Sequence, residues 1–255
     1  MLPNQTKHLP AAALSFARRA EPAELPELMD QPCSYEDFRD CLRDLAAVNR
    51  LTDAYQPTLG FLDKIVSGTS AVHRPLRILD VGCGGGDMLR AIAQWADAKR
   101  IEVELTGLDL NPYAARAGQE FSAKVPDAVK IPFLTADVFT YSAEEQPDLI
   151  ISALFTHHLS SPEIVRFLRW MEDRAKLGWF VNDLQRSKRA AFWFRFLPII
   201  FRWHRFVRYD GPVSLQRAFT ASDWQRYLAD AQILGASIEP HPMSRLCVAR
   251  IRELA

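Results

Sequence analysis

The chain has 255 residues, 48% hydrophobic and 24% charged, enough for one sizeable core plus appendages and ordinary for a soluble globule. Its 31 Lys plus Arg balance 31 Asp plus Glu, so no net field draws it toward nucleic acid. Cys33, Cys41, Cys83 and Cys247 lack metal-ligand spacing, the N-terminus has no signal-peptide pattern, and no apolar run reaches membrane-spanning length; a reduced, cytoplasmic protein is the expectation.

Residues 1–33 contain Pro3, Pro10, Pro22, Pro26 and Pro32 among small and charged residues, which predicts an extended or poorly ordered arm. Residues 34–74 read as a helical cover. Ser34 with Asp37 is an N-terminal cap signature, and Phe38, Leu42, Leu45, Val48 and Leu51 follow at helical spacing. A second helix is expected through Thr58, Leu59, Phe61, Leu62 and Ile65. Residues 75–255 then carry the core. Ile78, Leu79, Asp80 and Val81 form a short strand that breaks into Gly82-Cys83-Gly84-Gly85-Gly86-Asp87 and resumes as a helix through Met88, Leu89, Ile92 and Trp95. Glycines let a backbone turn tightly from strand to helix and let a ligand approach where a Cβ would stand. The free N–H groups of the helix point back at that ligand.

A phosphate loop needs Gly-x4-Gly-Lys-[Ser/Thr], and here Asp87 follows the last glycine. The dinucleotide fingerprint Gly-x-Gly-x-x-Gly is not matched either, and acids on both sides of the loop would repel a pyrophosphate. A ligand with a cation and no phosphate fits better. Further along, Val103–Asp109 reads as a strand ending in an acid, with Leu110 and the helix opener Asn111-Pro112 behind it. A third strand, 131–136, ends in Asp137-Val138, and the continuous apolar run 148–154, which includes Ala153, suits a strand buried on both faces of a parallel sheet.

Asp-Val-Gly-Cys-Gly-x-Gly-Asp, followed by an acid after the second strand and another after the third, resembles the class I S-adenosylmethionine (SAM) methyltransferases over residues 76–185. The resemblance implies an α/β, Rossmann-like, doubly wound seven-stranded sheet, mostly parallel with its last strand antiparallel, plus N-terminal helices and a helical insertion after strand five. It implies SAM as cofactor, with contacts at Asp80, Gly82, Cys83, Gly84, Gly86, Asp109, Leu110, Asp137, Val138 and Ala153. Asp109 would accept both ribose hydroxyls and Asp137 the adenine amino group. The last strands are expected at 236–239 and 245–251.

The end of strand four bears on the acceptor. Base N-methyltransferases carry [Asn/Asp]-Pro-Pro-[Tyr/Phe] there, whereas this chain has Ser152-Ala153-Leu154-Phe155-Thr156-His157-His158-Leu159. Neutral imidazole suits removal of a proton from a phenol or enol, so His158, or else His157, is the candidate base; neighbours on a loop are expected to point in different directions. The stretch resembles small-molecule methyltransferases of quinone and polyketide pathways. The expected acceptor is therefore a small hydrophobic aromatic or polyketide-like molecule methylated at oxygen, the alternatives being a ring carbon or a non-catalytic SAM-binding scaffold.

The insertion 186–220 holds seven basic residues and no acid between Arg186 and Tyr209, interleaved with Phe192, Trp193, Phe194, Phe196, Phe201, Trp203 and Phe206. It reads as an amphipathic helix pair packed on the core, or as a lid, with peripheral membrane contact through 186–208 as a further reading. Tyr209–Ser214 reads as a turn, and Asp183 either orients a histidine or, as the favoured reading, pairs with Arg186.

Overall fold

Residues 16–68, 74–123, 130–143, 146–194 and 202–252 are described by the structure, a computed structural model. Strand β1 (Leu76–Val81) lies near the middle of one seven-stranded sheet, and all but one of its residues are buried. Beside it run β2 (Val103–Asp109) and β3 (Phe133–Thr135) on one side, and β4 (Leu149–Ala153) and β5 (Gly178–Leu184) on the other, all parallel. Strands β6 (Ser237–His241) and β7 (Arg245–Ile251) complete the order β3-β2-β1-β4-β5-β7-β6, with β7 antiparallel to both neighbours. This is the expected doubly wound sheet. The order reverses between β1 and β4, so the carboxyl ends of those strands open a crevice.

Helices cover both faces. Helices α2 (Gln56–Gly68) and α3 (Asp87–Lys99) bury Phe61, Leu62, Leu89 and Ile92 on one side; α5 (Ser161–Arg174) and α8 (Ala221–Ala231) bury Phe167, Trp224 and Tyr227 against Trp179 on the other. Each such side chain contributes roughly 1.5–3 kcal/mol on burial, so the two layers fix the sheet between them. Helix α1 (Tyr35–Leu51) starts as its sequence dictates, with Ser34 Oγ accepting from the Asp37 N–H at 3.1 Å, and packs on α4 (Pro112–Ser122).

Three expectations are corrected. Residues 16–33 are a packed strap: Arg19 is 5% exposed and Glu27 2%. Arg19 ties it down by donating to the carbonyls of Arg217 (2.8 Å), Leu159 (2.5 Å) and His157 (3.2 Å). Residues 1–15 of the expected arm lie outside the described residues. The segment 209–214 is no turn, because Gly211 and Pro212 sit inside helix α7 (Arg205–Arg217). Gly211 is needed there, since a Cβ would collide with the Phe194 ring from helix α6 (Lys188–Phe194). Third, Asp183 does not pair with Arg186. Arg186 reaches Asp223 at 2.9 Å, and Asp183 serves the histidines instead. Of the aromatics in the insertion, Trp203 is buried and Phe192 exposed, while Phe196 and Phe201 lie outside the described residues.

Candidate cofactor and acceptor site

The loop between β1 and α3 crosses the tips of β1 and β2. Gly82, Gly84 and Gly86 take φ values of 72°, 50° and 71°, the left-handed region in which only glycine is free of strain. Gly82 N–H donates to the Leu108 carbonyl (2.8 Å) and Gly84 N–H to Asp109 Oδ2 (2.9 Å), which locks the loop onto β2. Asp109 Oδ1 accepts from the Asn111 N–H at 2.9 Å. The carboxylate is thus fixed from both sides, and each oxygen keeps a lone pair for a hydroxyl donor.

A cavity of about 800 Å³ lies under this loop, closed by α1 and by strap residues Met29–Cys33. Among the expected cofactor residues Asp80, Gly82, Cys83, Gly84, Asp109, Leu110 and Ala153 line it, together with His158. Gly86, Asp137, Val138 and His157 stand outside its wall, and each has another physical reason to be where it is. A Cβ on Gly86 would meet the Phe133 ring at 2.5 Å, so that glycine serves packing. Asp137 is exposed and accepts from the Phe139 N–H at 2.9 Å, as an Asx turn does. Val138 belongs to the core beneath α5. His157 is 3% exposed.

Electrostatics describe the ligand this cavity suits. Asp80 is 1% exposed and its Oδ1 has no hydrogen-bond partner. Burial, then the nearby carboxylates of Asp87 and Asp109, raise its pKa well above the usual range. An unpartnered buried oxygen costs about 1–3 kcal/mol, and a cation placed against it would offset that cost. Asp87 is held by Tyr55 Oη (2.8 Å) and Asn49 Nδ2 (2.9 Å). Three acids, a glycine-rich backbone cradle and no basic residue in the loop fit a cationic ligand with hydroxyl donors. They do not fit a phosphate.

The remaining wall is apolar, with Phe38, Leu42 and Leu45 of α1 facing Phe155 and Leu159. Phe155 and the two histidines follow β4 through a single 3-10 turn, Thr156–His158. Contrary to expectation the rings are neighbours, with centroids 4.3 Å apart. Asp183 Oδ1 holds His157 Nδ1 at 2.7 Å, and Asp30 Oδ1 holds His158 Nδ1 at 2.8 Å. Burial lowers the His158 pKa, but the carboxylates of Glu27 and Asp30 outweigh it and raise it to about 9. These carboxylates favour the protonated imidazole, which has no lone pair to take a proton. His157 does not reach the cavity. The charge favoured on His158 and the burial of His157 both run against the base role that the sequence suggested.

Residues 78–178 match the family model described as a methyltransferase domain. A trans-aconitate 2-methyltransferase of Streptomyces avermitilis is 30% identical over 93 residues, 36% of this chain and 33% of that protein. The chain thus matches about a third of the length of this curated relative. Among solved structures, the plantazolicin methyltransferase BpumL in complex with SAH aligns with TM-score 0.59 and 14% identity over 85% of this chain and 93% of that one. The magnesium protoporphyrin IX methyltransferase of Synechocystis PCC 6803 with bound SAH aligns with TM-score 0.55 and 14% identity, covering 88% and 90%. These likenesses establish the fold of class I SAM-dependent methyltransferases around the domain.

Sequence reasoning missed the strap. Glu27 and Asp30 reach the histidines across more than 120 positions, and no local pattern announces such a contact. Asn49 and Tyr55 were missed as well, although the helical spacing that placed Leu42 and Leu45 on one face of α1 pointed to the same wall.

Proposed function

We propose that the chain is a SAM-dependent methyltransferase of a small hydrophobic acceptor, aromatic or polyketide-like, acting at oxygen. The observation that carries this reading is the orphaned carboxylate of Asp80 beside a glycine cradle, in a cavity whose opposite wall is apolar. Asp109 would take ribose hydroxyls, Asp80 and Asp87 the cationic end of the cofactor, and the backbone of Gly82–Gly84 its close approach. SAM, when bound, supplies an electrophilic methyl group on a sulfonium. The protein's part is orientation of the acceptor and exclusion of water by α1, Phe155, Leu159 and the strap. With His158 protonated, an acceptor already ionised in solution, such as an acidic phenol, suits the site best. The same walls would serve methylation of an activated ring carbon. Relatives that act on small molecules by name, the trans-aconitate enzyme among them, support a small acceptor.

Calorimetry with S-adenosylhomocysteine (SAH), paired with turnover of methyl-labelled SAM over phenols and naphthols, tests the reading, and mass spectrometry of the product separates oxygen from carbon. Saturable SAH binding with labelled product supports it. Binding without turnover over the whole panel would leave a SAM-binding scaffold in its place.

A further inference from the structure

The geometry points to a divalent transition-metal site of the zinc type, formed by His157 Nε2, His158 Nε2 and the Glu27 carboxylate. These three ligand atoms lie within 4.8 Å of one another, with each imidazole Nε2 3.8 Å from a Glu27 oxygen. Both imidazoles carry their second nitrogen on a carboxylate, Asp183 at 2.7 Å and Asp30 at 2.8 Å. An Nδ1–H donated to a carboxylate turns the Nε2 lone pair outward and raises its basicity, as the outer partners of metal-bound histidines do. In that tautomer two nitrogen lone pairs face a carboxylate. Acceptor against acceptor is repulsive unless a proton or a metal cation lies between, and at 3.8 Å the gap is too long for a hydrogen bond and leaves room for an ion.

Size and charge agree. Ligand atoms on one tetrahedral ion with bonds of about 2.0–2.2 Å lie roughly 3.3–3.6 Å apart, so the two 3.8 Å pairs need only a small closure and the histidine pair, within 4.8 Å, a larger one. Two histidines and one carboxylate are a common donor set for zinc-type and iron(II) ions. Glu27 Oε1 is already held by Ser214 Oγ (2.9 Å) and Arg217 Nη1 (3.3 Å), which orients Oε2 toward His158. Among the described residues, Glu27, Asp30 and Asp183 meet one guanidinium in direct ion-pair contact, that of Arg217. A dication that displaces the proton favoured on His158 satisfies this excess of negative charge. Glu27 and His157 are buried, at 2% and 3% exposure, while His158 lines the cavity and offers the entry path. Glu27 comes from the strap and the histidines from the turn after β4, so the ion would pin the strap.

The test uses the full chain stripped with a chelator. Zn²⁺ is titrated by calorimetry and Co²⁺ by its visible absorption, neither of which depends on methyl transfer. One ion per chain is expected, with a Co²⁺ spectrum of low coordination number. Glu27→Gln and His158→Ala should abolish the spectrum. Asp30→Asn, at a half-exposed position that folding tolerates, should weaken Zn²⁺ about 10–100-fold, the usual cost of losing an outer partner. Circular dichroism identifies variants that fail to fold, and Asp30→Asn carries the test if the others do. No saturable binding to the wild-type chain overturns the site. So does an Asp30→Asn affinity equal to wild type, which would place any bound ion elsewhere.

Discussion

Asp109 has its two carboxylate oxygens anchored by the backbone of Gly84 and Asn111, so a ribose in the proposed site would find it already ordered. Asp109→Ala should weaken SAH by about 2–4 kcal/mol in calorimetry, the scale of a lost charge-assisted bond plus the hydroxyls left unpaired. Asp137 makes the contrast. It accepts from the Phe139 N–H away from the cavity, and Asp137→Asn keeps that acceptor, so its SAH affinity should stay near wild type. Affinities equally weakened in both variants would mean that the cavity is not the cofactor site. Asp80 adds a pH dependence. Burial and then Asp87 and Asp109 raise its folded pKa, so its contribution to ligand-free stability is present while it holds a proton and is lost as pH rises through the raised value. The α-ammonium group, which SAH shares with SAM, favours the charged form. The rise in Tm given by SAH should therefore grow from mildly acid to mildly alkaline pH, and Asp80→Asn should flatten it. A constant rise in the wild-type chain would sink this assignment.

At the scale of elements, the joint between β5 and α8 rests on a buried pair. Arg186 leaves β5 and meets Asp223, which also closes the capping box of α8 with Thr220. The Arg186 and Asp223 side chains are 5% and 10% exposed, so removing one strands the other in a poor solvent. Asp223→Ala should lower unfolding stability by about 3–5 kcal/mol, with the lost cap included in the upper part of that range. Urea denaturation reads it directly, and a loss below about 1 kcal/mol would mean that water already screens the pair. The turn after β4 is another such joint. Thr156 Oγ1 and the His157 N–H both bind Asp183 Oδ2, at 2.5 and 3.1 Å, which ties the acceptor wall to the neighbouring strand.

For the whole molecule, the strap is the piece that closes the cavity, and its order depends on few contacts. Arg19 anchors it to the carbonyls of Arg217, Leu159 and His157, and Asp210 accepts from the Leu28 and Met29 N–H groups at 2.7 and 3.1 Å. Arg19→Met keeps the apolar stem and removes the donors. Hydrogen exchange should then quicken across residues 16–33, and SAH should bind more weakly, since Met29, Pro32 and Cys33 are cavity wall. Unchanged exchange in that segment would show that the strap is held by packing alone.

The sequence by itself determined the sheet and the glycine loop with the acids at its strand tips. Strand-turn-helix periodicity, the glycines after Val81 and the acid at the tip of β2 are local, because a backbone that must turn tightly and carry a carboxylate at its end has few ways of being written. The single helical face of Leu42 and Leu45 was equally legible. Only the tertiary structure decided what the histidines face. Asp183, Asp30 and Glu27 come from a different strand and from a segment whose prolines read as disorder, and they meet the imidazoles solely because the strap packs under Arg19. Protonation state is a property of that assembled surrounding, not of the residue type. The same reason places Gly86 and Asp137 outside the cavity: motif position fixes where a residue sits along the chain, whereas the packing of Phe133 and the turn at Phe139 fix which way it serves.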